Sequence, residues 1–124
     1  MKQIISTSNA PAAIGPYSQA VLVDNTLYLS GQIGIDPATQ QLETDVETQT
    51  KQAFLNIKAI LCEAGFALSD LVKVTLFLTD MTDFVAINKL YSSFLQAPYP
   101  ARSCVAVSAL PKGALVEIEV IAKK

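Results

Sequence analysis

One arginine stands out for its chemistry in the segment that runs from Pro98 to Val107. Arg102 is the only charged residue of this segment, and it lies between a proline-stiffened entry and an apolar run typical of a strand. Because a planar guanidinium donates two parallel hydrogen bonds, an arginine at the mouth of a strand is suited to bind a carboxylate. It can equally pair with a neighbouring acid or face solvent, and spacing alone leaves these alternatives open.

A second polar group lies in the following predicted strand. Glu117 is separated from the strand of Arg102 by a short connection, so we expect the two residues to be neighbours in a sheet. Arg102 would then hold an anion while Glu117 orients or deprotonates a water molecule. The alternative is an ion pair that supports the sheet. Tyr17 follows a Gly-Pro turn, and Asn88 lies on a predicted helix where it is expected to face solvent.

The chain contains no histidine, which excludes Ser-His-Asp and Cys-His catalysis and histidine-based zinc sites. No metal site is predicted. The net charge of −2 gives no basic field for nucleic acid, so no nucleic-acid partner is expected. Cys62 and Cys104 are too few for a disulfide framework and are interpreted as small buried hydrophobes.

Composition indicates one domain, residues 1–124, that makes contacts with other subunits. Apolar residues make up 51% of the chain and charged residues 16%, whereas average usage has about 25% charged residues. A small domain cannot bury such a surplus alone, and no apolar run has the length of a membrane span. The N-terminus does not resemble a signal peptide, so we expect a cytoplasmic protein.

Periodicity predicts an α+β fold, a two-layer structure in which two helices cover one face of a mixed β-sheet. The first helix is predicted to follow a capping box, Thr44-Asp45-Val46-Glu47, and to end at Gly65. The second begins near Thr82-Asp83 and ends before Pro98. The predicted strands are residues 2–6, 18–23, 26–30, 71–79, 102–108 and 114–122. Within them we expect Val72, Val74, Leu76 and Leu78 to share one face, as do Val116, Ile118 and Val120.

Three motifs occur in one order: residues 9–20 (NAPAAIGPYSQA), 30–33 (SGQI), and 100–105 (PARSCV) followed by 110–119 (LPKGALVEIE). These motifs resemble the signatures of the Rid family, the reactive intermediate deaminases, also called the YjgF or endoribonuclease L-PSP family. The resemblance covers essentially the whole chain, and the arginine-containing motif is similar to that of the RidA subgroup.

The resemblance implies a chorismate-mutase-like fold, a homotrimer with active sites between subunits, and no cofactor. The implied enzyme is a hydrolase that converts 2-iminobutanoate and 2-iminopropanoate to 2-oxo acids and ammonia. It would be linked functionally to the pyridoxal-phosphate-dependent dehydratases that release these imines and their enamine tautomers.

Site residues are implied by position. Arg102 matches the arginine that grips the substrate carboxylate, and Glu117 and Tyr17 match residues that position the attacking water. The remaining positions match residues that line the pocket: Ser30, Gly31, Cys104 and Asn88. Of these, Cys104 faces the pocket through its backbone. Ala106 departs from the family, which often has a polar or acidic residue there.

Two other functions are compatible with parts of the pattern. A non-catalytic sensor or regulatory trimer that binds 2-oxo acids would use the same Arg102. A ribonuclease or translation inhibitor is suggested by the family's older name, but the acidic chain without histidine argues against it.

Overall fold

Nine strands and two α-helices make up the computed structural model, which describes residues 1–124. The helices are α1 (Val46–Glu63) and α2 (Phe84–Phe94). The strands are β1 (Lys2–Ile5), β2 (Ala20–Val23), β3 (Thr26–Leu29), β4 (Gln32–Ile33), β5 (Ile35–Asp36), β6 (Gln41–Leu42), β7 (Leu71–Leu78), β8 (Ala101–Ala106) and β9 (Val116–Lys123). The predicted α+β architecture, a mixed sheet with two helices, is confirmed.

The main sheet has the strand order β1-β2-β3-β9-β7-β8, with β4 also paired to β9. Only β7 and β8 run parallel, because α2 connects them as a crossover; the other pairs are antiparallel. The strands β5 and β6 form a separate two-stranded sheet. Consequently β7 lies between β8 and β9, and β8 is an edge strand.

The first helix begins one residue later than predicted. Its N-cap is Asp45, whose carboxylate accepts a hydrogen bond from the backbone N–H of Thr48 at 2.8 Å. The Thr48 hydroxyl accepts the reciprocal bond from the Asp45 N–H at 3.3 Å. The prediction of Thr44 as cap with Glu47 as its partner was therefore wrong, because two overlapping capping patterns compete and a carboxylate is at least as good an N-cap as a threonine hydroxyl.

Both helices bury the face that their periodicity predicted. Phe54, Ile57 and Ile60 of α1 are fully buried, as is Ile87 of α2. The rings of Phe54 and Phe94 stack with centroids 4.8 Å apart, which joins the two helices. A fully buried side chain of this size, such as Phe54, contributes about 1.5–3 kcal/mol, so its contact with Phe94 helps to anchor α2 over the sheet.

The strand β7 contains an irregularity that the sequence did not indicate. Its pairing with β9 shifts register between Leu71 and Lys73, and Leu71 is buried whereas Val72 is 46% exposed. The prediction that Val72 shares the buried face of Val74 was therefore wrong, because a bulge reverses the alternation at that point. The predicted alternation of β9 is confirmed.

The sheet face opposite the helices carries apolar side chains that this chain alone leaves accessible. Tyr28 of β3 and Val105 of the edge strand β8 are exposed there, and Phe77, which pairs with Val105 from β7, is half-buried. Cys62 is also exposed and Cys104 half-buried, so the prediction that both cysteines are buried was wrong. Neither helix combines the length and the apolar character that a membrane span requires.

Candidate functional site

Arg102 lies on the helix-covered side of β8, where α2 orients its guanidinium. Nη1 donates a hydrogen bond of 2.7 Å to Oδ1 of Asn88. The Cζ atom lies 4.7 Å from the ring centroid of Tyr91 and 5.3 Å from that of Phe84. The one ion pair of the chain joins the N-terminal amine to Asp24, so no carboxylate neutralises Arg102. The guanidinium is thus ordered, accessible and without an anionic partner.

Asn88 is exposed, as its position on a helix surface led us to expect, and it also contacts Arg102. Its amide oxygen accepts the hydrogen bond from Arg102, which places Asn88 at the wall of the same cavity. This contact is consistent with the pocket-wall position that the sequence motifs implied for Asn88.

Glu117 lies on the opposite face of the sheet, against the backbone of Gly31. A Cβ atom added to Gly31 would overlap the Glu117 carboxylate and would stand 2.8 Å from its Cδ and 3.0 Å from its Cγ. Partial burial raises the pKa of the Glu117 carboxyl above its usual range, and the nearby Glu119 raises it further. A carboxylate with a raised pKa is a stronger proton acceptor than an ordinary carboxylate.

Tyr17 and Ser30 line the same cavity as Glu117. Tyr17 is 53% exposed at the end of the loop that follows β1, and the Ser30 hydroxyl donates a 2.6 Å hydrogen bond to the carbonyl of Ser18. Gln19, which is buried, anchors this loop. Its side-chain oxygen accepts from the N–H of Thr7 at 2.7 Å, and its Nε2 donates to the carbonyl of Pro11 at 2.8 Å.

Within one chain, the predicted site residues therefore form two separate groups. Tyr17, Ser30, Gly31 and Glu117 line a cavity of about 1080 Å³. Arg102 and Asn88 line another of about 500 Å³ together with Tyr99.

The prediction that Arg102 and Glu117 are sheet neighbours was wrong. Arg102 pairs with Val74 and Glu117 pairs with Phe77, so the two are separated by β7 and by three residues along it. At about 4.8 Å per strand and 3.3 Å per residue, their Cα atoms are roughly 14 Å apart. Val74 is buried beneath the helices whereas Phe77 faces the open side, so the two side chains also point to opposite faces. An Arg102–Glu117 ion pair within the chain is excluded.

Cys104 lines neither cavity, but its backbone has a free side. In a parallel ladder, alternate residues direct both their N–H and C=O groups to the same neighbour. Val107 donates its N–H to the carbonyl of Leu78 at 2.7 Å, so the N–H and C=O of Cys104 point away from β7, at the open edge of the sheet. Burial raises the pKa of the Cys104 thiol. The backbone, and not a thiolate, is thus the group that this residue offers.

Sequence reasoning missed three neighbours of the site residues. Phe84 and Tyr91 were assigned only to the core, although their spacing relative to Asn88 places all three on one helix face. Gln19 carried no signal of its own, because its role depends on a loop folding back over it.

Comparisons with known proteins agree with this architecture. Residues 7–124 match the family described as Endoribonuclease L-PSP. A 2-iminobutanoate/2-iminopropanoate deaminase of Capra hircus is 54% identical over 98% of this chain and 90% of its own. The corresponding human protein, which carries the same name, is 48% identical over 98% of this chain and 90% of its own.

Solved structures show the same fold over the whole chain. The crystal structure of RidA from an Antarctic Psychrobacter has a TM-score of 0.97 at 52% identity, with 98% of this chain and 99% of that chain covered. The structure of TdcF from E. coli, solved with bound serine, has a TM-score of 0.95 at 45% identity and covers 98% of each chain. The chain therefore belongs to the endoribonuclease L-PSP family, the Rid family that its motifs resemble.

Proposed function

We propose that this protein is a hydrolase that converts 2-imino acids, such as 2-iminobutanoate and 2-iminopropanoate, to 2-oxo acids and ammonia. Relatives that are 48–54% identical over nearly the whole chain are named 2-iminobutanoate/2-iminopropanoate deaminase. The observation that carries the proposal is the guanidinium of Arg102, which is ordered by α2 yet has no carboxylate partner in the chain. A small 2-imino acid carries a carboxylate, and an oriented guanidinium with free N–H groups can bind it.

Arg102 holds the substrate carboxylate in this proposal. One of its five N–H groups is used by Asn88, so enough remain for a two-pronged interaction. A charge-assisted hydrogen bond is worth about 1.5–3 kcal/mol, which is enough to fix the orientation of a molecule as small as an imino acid. The backbone of Cys104 completes the pocket wall, and the exposed Tyr17 helps to position the attacking water.

Glu117 positions the attacking water in this proposal. A protonated imine is already electrophilic, so the oxygen of a positioned water attacks the imine carbon while Glu117 accepts a proton. The carbon–oxygen bond forms as the carbon–nitrogen double bond becomes single. Return of that proton to the carbinolamine nitrogen makes it a leaving group. The carbon–nitrogen bond then breaks as the carbon–oxygen double bond of the 2-oxo acid forms, and the hydroxyl proton leaves with the ammonia as ammonium. Each turnover consumes one imine and one water.

The two groups of site residues meet, in this proposal, between subunits of a homotrimer with a chorismate-mutase-like arrangement. Three features support it. Arg102 and Glu117 lie in separate cavities of one chain, β8 has an open edge, and the sheet face opposite the helices carries exposed apolar side chains such as Tyr28 and Val105. The cavity of Arg102 from one copy would face the cavity of Glu117 from the next. The imine would come from a pyridoxal-phosphate-dependent dehydratase.

The substitution Arg102→Ala tests the proposal. We expect it to abolish imine hydrolysis and to leave the oligomer intact, because no other group of the chain depends on this charge for an ion pair. Threonine dehydratase generates 2-iminobutanoate in the assay, and semicarbazide traps the imine that remains. Undiminished hydrolysis by the folded variant would refute the role of Arg102.

Measurements on the wild-type protein distinguish the hydrolase from a purely regulatory protein. Accelerated loss of the trappable imine together with formation of 2-oxobutanoate supports the hydrolase. Binding of 2-oxobutanoate, measured by calorimetry, with no effect on imine lifetime would instead establish the sensor and overturn the proposed activity.

A further inference from the structure

The guanidinium of Arg102 rests against one face of α2. Phe84, Asn88 and Tyr91 are spaced at i, i+4 and i+7, so they lie along one side of the helix. Asn88 accepts a hydrogen bond from the guanidinium, and the two aromatic rings contribute cation–π contacts at 5.3 Å and 4.7 Å. We call these three residues the α2 cradle.

An arginine without such contacts would be poorly oriented. Its side chain carries about 2 kcal/mol of rotamer entropy, which must be lost when it grips a ligand. A contact that orders the guanidinium in the free protein removes part of that loss from the binding step. Tyr91 has the closer of the two rings, and a cation–π contact is worth about 0.5–2 kcal/mol depending on desolvation.

The ring of Tyr91, and not its hydroxyl, provides this contact. Tyr91 is 95% buried and its hydroxyl has no hydrogen-bond partner in the chain. The ring is itself fixed from behind by an edge-on contact with Phe54, at 6.0 Å between centroids and 72° between planes. A rigid aromatic ring thus stands against the guanidinium.

We propose that Tyr91 is a positioning residue, whose ring orients Arg102 to receive the substrate carboxylate. This inference rests on the proposed function, because it assigns to Arg102 the role of carboxylate anchor. Tyr91 acts only through Arg102 and does not touch the reacting atoms.

Four substitutions separate positioning from packing. Tyr91→Leu removes the aromatic wall but keeps an apolar side chain, whereas Tyr91→Phe retains the ring and removes only the unpartnered hydroxyl. Phe94→Leu is the matched control, because Phe94 also lies on α2 and packs on Phe54 but does not contact Arg102. Phe84→Leu, at the less buried start of the helix, provides a second test of the wall if Tyr91→Leu does not fold.

Arg102 is the only arginine of the chain, so its guanidinium gives a single assignable set of side-chain NMR signals. Rotation about the Nε–Cζ bond should be slow in the wild type and in Tyr91→Phe, and several-fold faster in Tyr91→Leu. Phe84→Leu should show a smaller acceleration. In the enzymatic assay we expect Tyr91→Leu to raise the KM for 2-iminobutanoate about tenfold with a smaller change in kcat, and Tyr91→Phe to recover most of this loss.

Wild-type guanidinium rotation in folded Tyr91→Leu, or an equal KM increase in Phe94→Leu, would overturn the positioning role. The failure of the proposed function is distinguishable, because it would appear as absent imine hydrolysis in the wild type. Even then the rotation measurements would decide whether Tyr91 orders Arg102.

Discussion

The contact between Gly31 and Glu117 yields a prediction in which catalysis and stability should respond separately. In Gly31→Ala the new methyl group would occupy the space of the Glu117 carboxylate. The backbone at Gly31 does not have a positive φ, and the obstructing atoms belong to the end of a flexible side chain, so Glu117 should move while the strand stays in place. We expect the free energy of unfolding to change by less than about 1 kcal/mol, in the range of a single off-rotamer side chain.

Activity should fall far more than stability. A displacement of a catalytic group by about 1 Å can cost 100-fold, and proton transfer by a positioned side chain contributes about 100- to 10,000-fold. We therefore expect kcat for 2-iminobutanoate to decrease by about 100-fold, measured by the semicarbazide trap. The KM should change little, because Arg102 is unaffected.

A second glycine supplies the matched control. Gly65 ends α1 with a φ of +78°, and no atom lies within 4 Å of a Cβ added there. Gly65→Ala should therefore lower the free energy of unfolding by about 1 kcal/mol, since only glycine adopts this conformation without strain, and leave turnover unchanged. Wild-type turnover in Gly31→Ala, or losses of activity in both variants that merely follow their losses of stability, would refute the reasoning.

Two further predictions concern assembly and pH. If Arg102 and Glu117 act from different copies, refolding an equimolar mixture of inactive Arg102→Ala and Glu117→Gln chains should restore about a quarter of wild-type activity. A head-to-tail trimer forms an intact site wherever the wild-type Arg102 of one copy adjoins the wild-type Glu117 of the next. No recovery in verified mixed trimers would refute a site shared between copies. Glu117 has a folded-state pKa above its usual 4.5, so its ionisation disfavours the fold, and its contribution to stability should decrease as pH rises from its unfolded to its folded pKa. Glu117→Gln lacks this ionisation, so its melting temperature relative to that of the wild type should increase between pH 4 and pH 7. Differential scanning calorimetry measures both melting temperatures. If their difference is the same at every pH, Glu117 does not titrate with a raised pKa.

Local patterns were sufficient for most of the architecture. The apolar spacing of Phe54, Ile57 and Ile60 predicts the buried face of α1, because a helix repeats every 3.6 residues wherever it lies in the fold. The alternation of β9 is similarly local. Such patterns failed where two local solutions compete, as at Thr44 and Asp45, or where pairing with another strand introduces a bulge, as at Val72.

The arrangement of the site required the tertiary structure. The sequence by itself determined that histidine chemistry is excluded, that the fold is α+β, and that the motifs around Tyr17, Arg102 and Glu117 belong to one family. It did not determine the order of strands in the sheet. Because β7, from an earlier part of the chain, inserts between β8 and β9, residues that are close in sequence lie two strands apart and on opposite faces. The same insertion places Arg102 beside α2, where Asn88 and Tyr91, more than ten residues away in sequence, orient it.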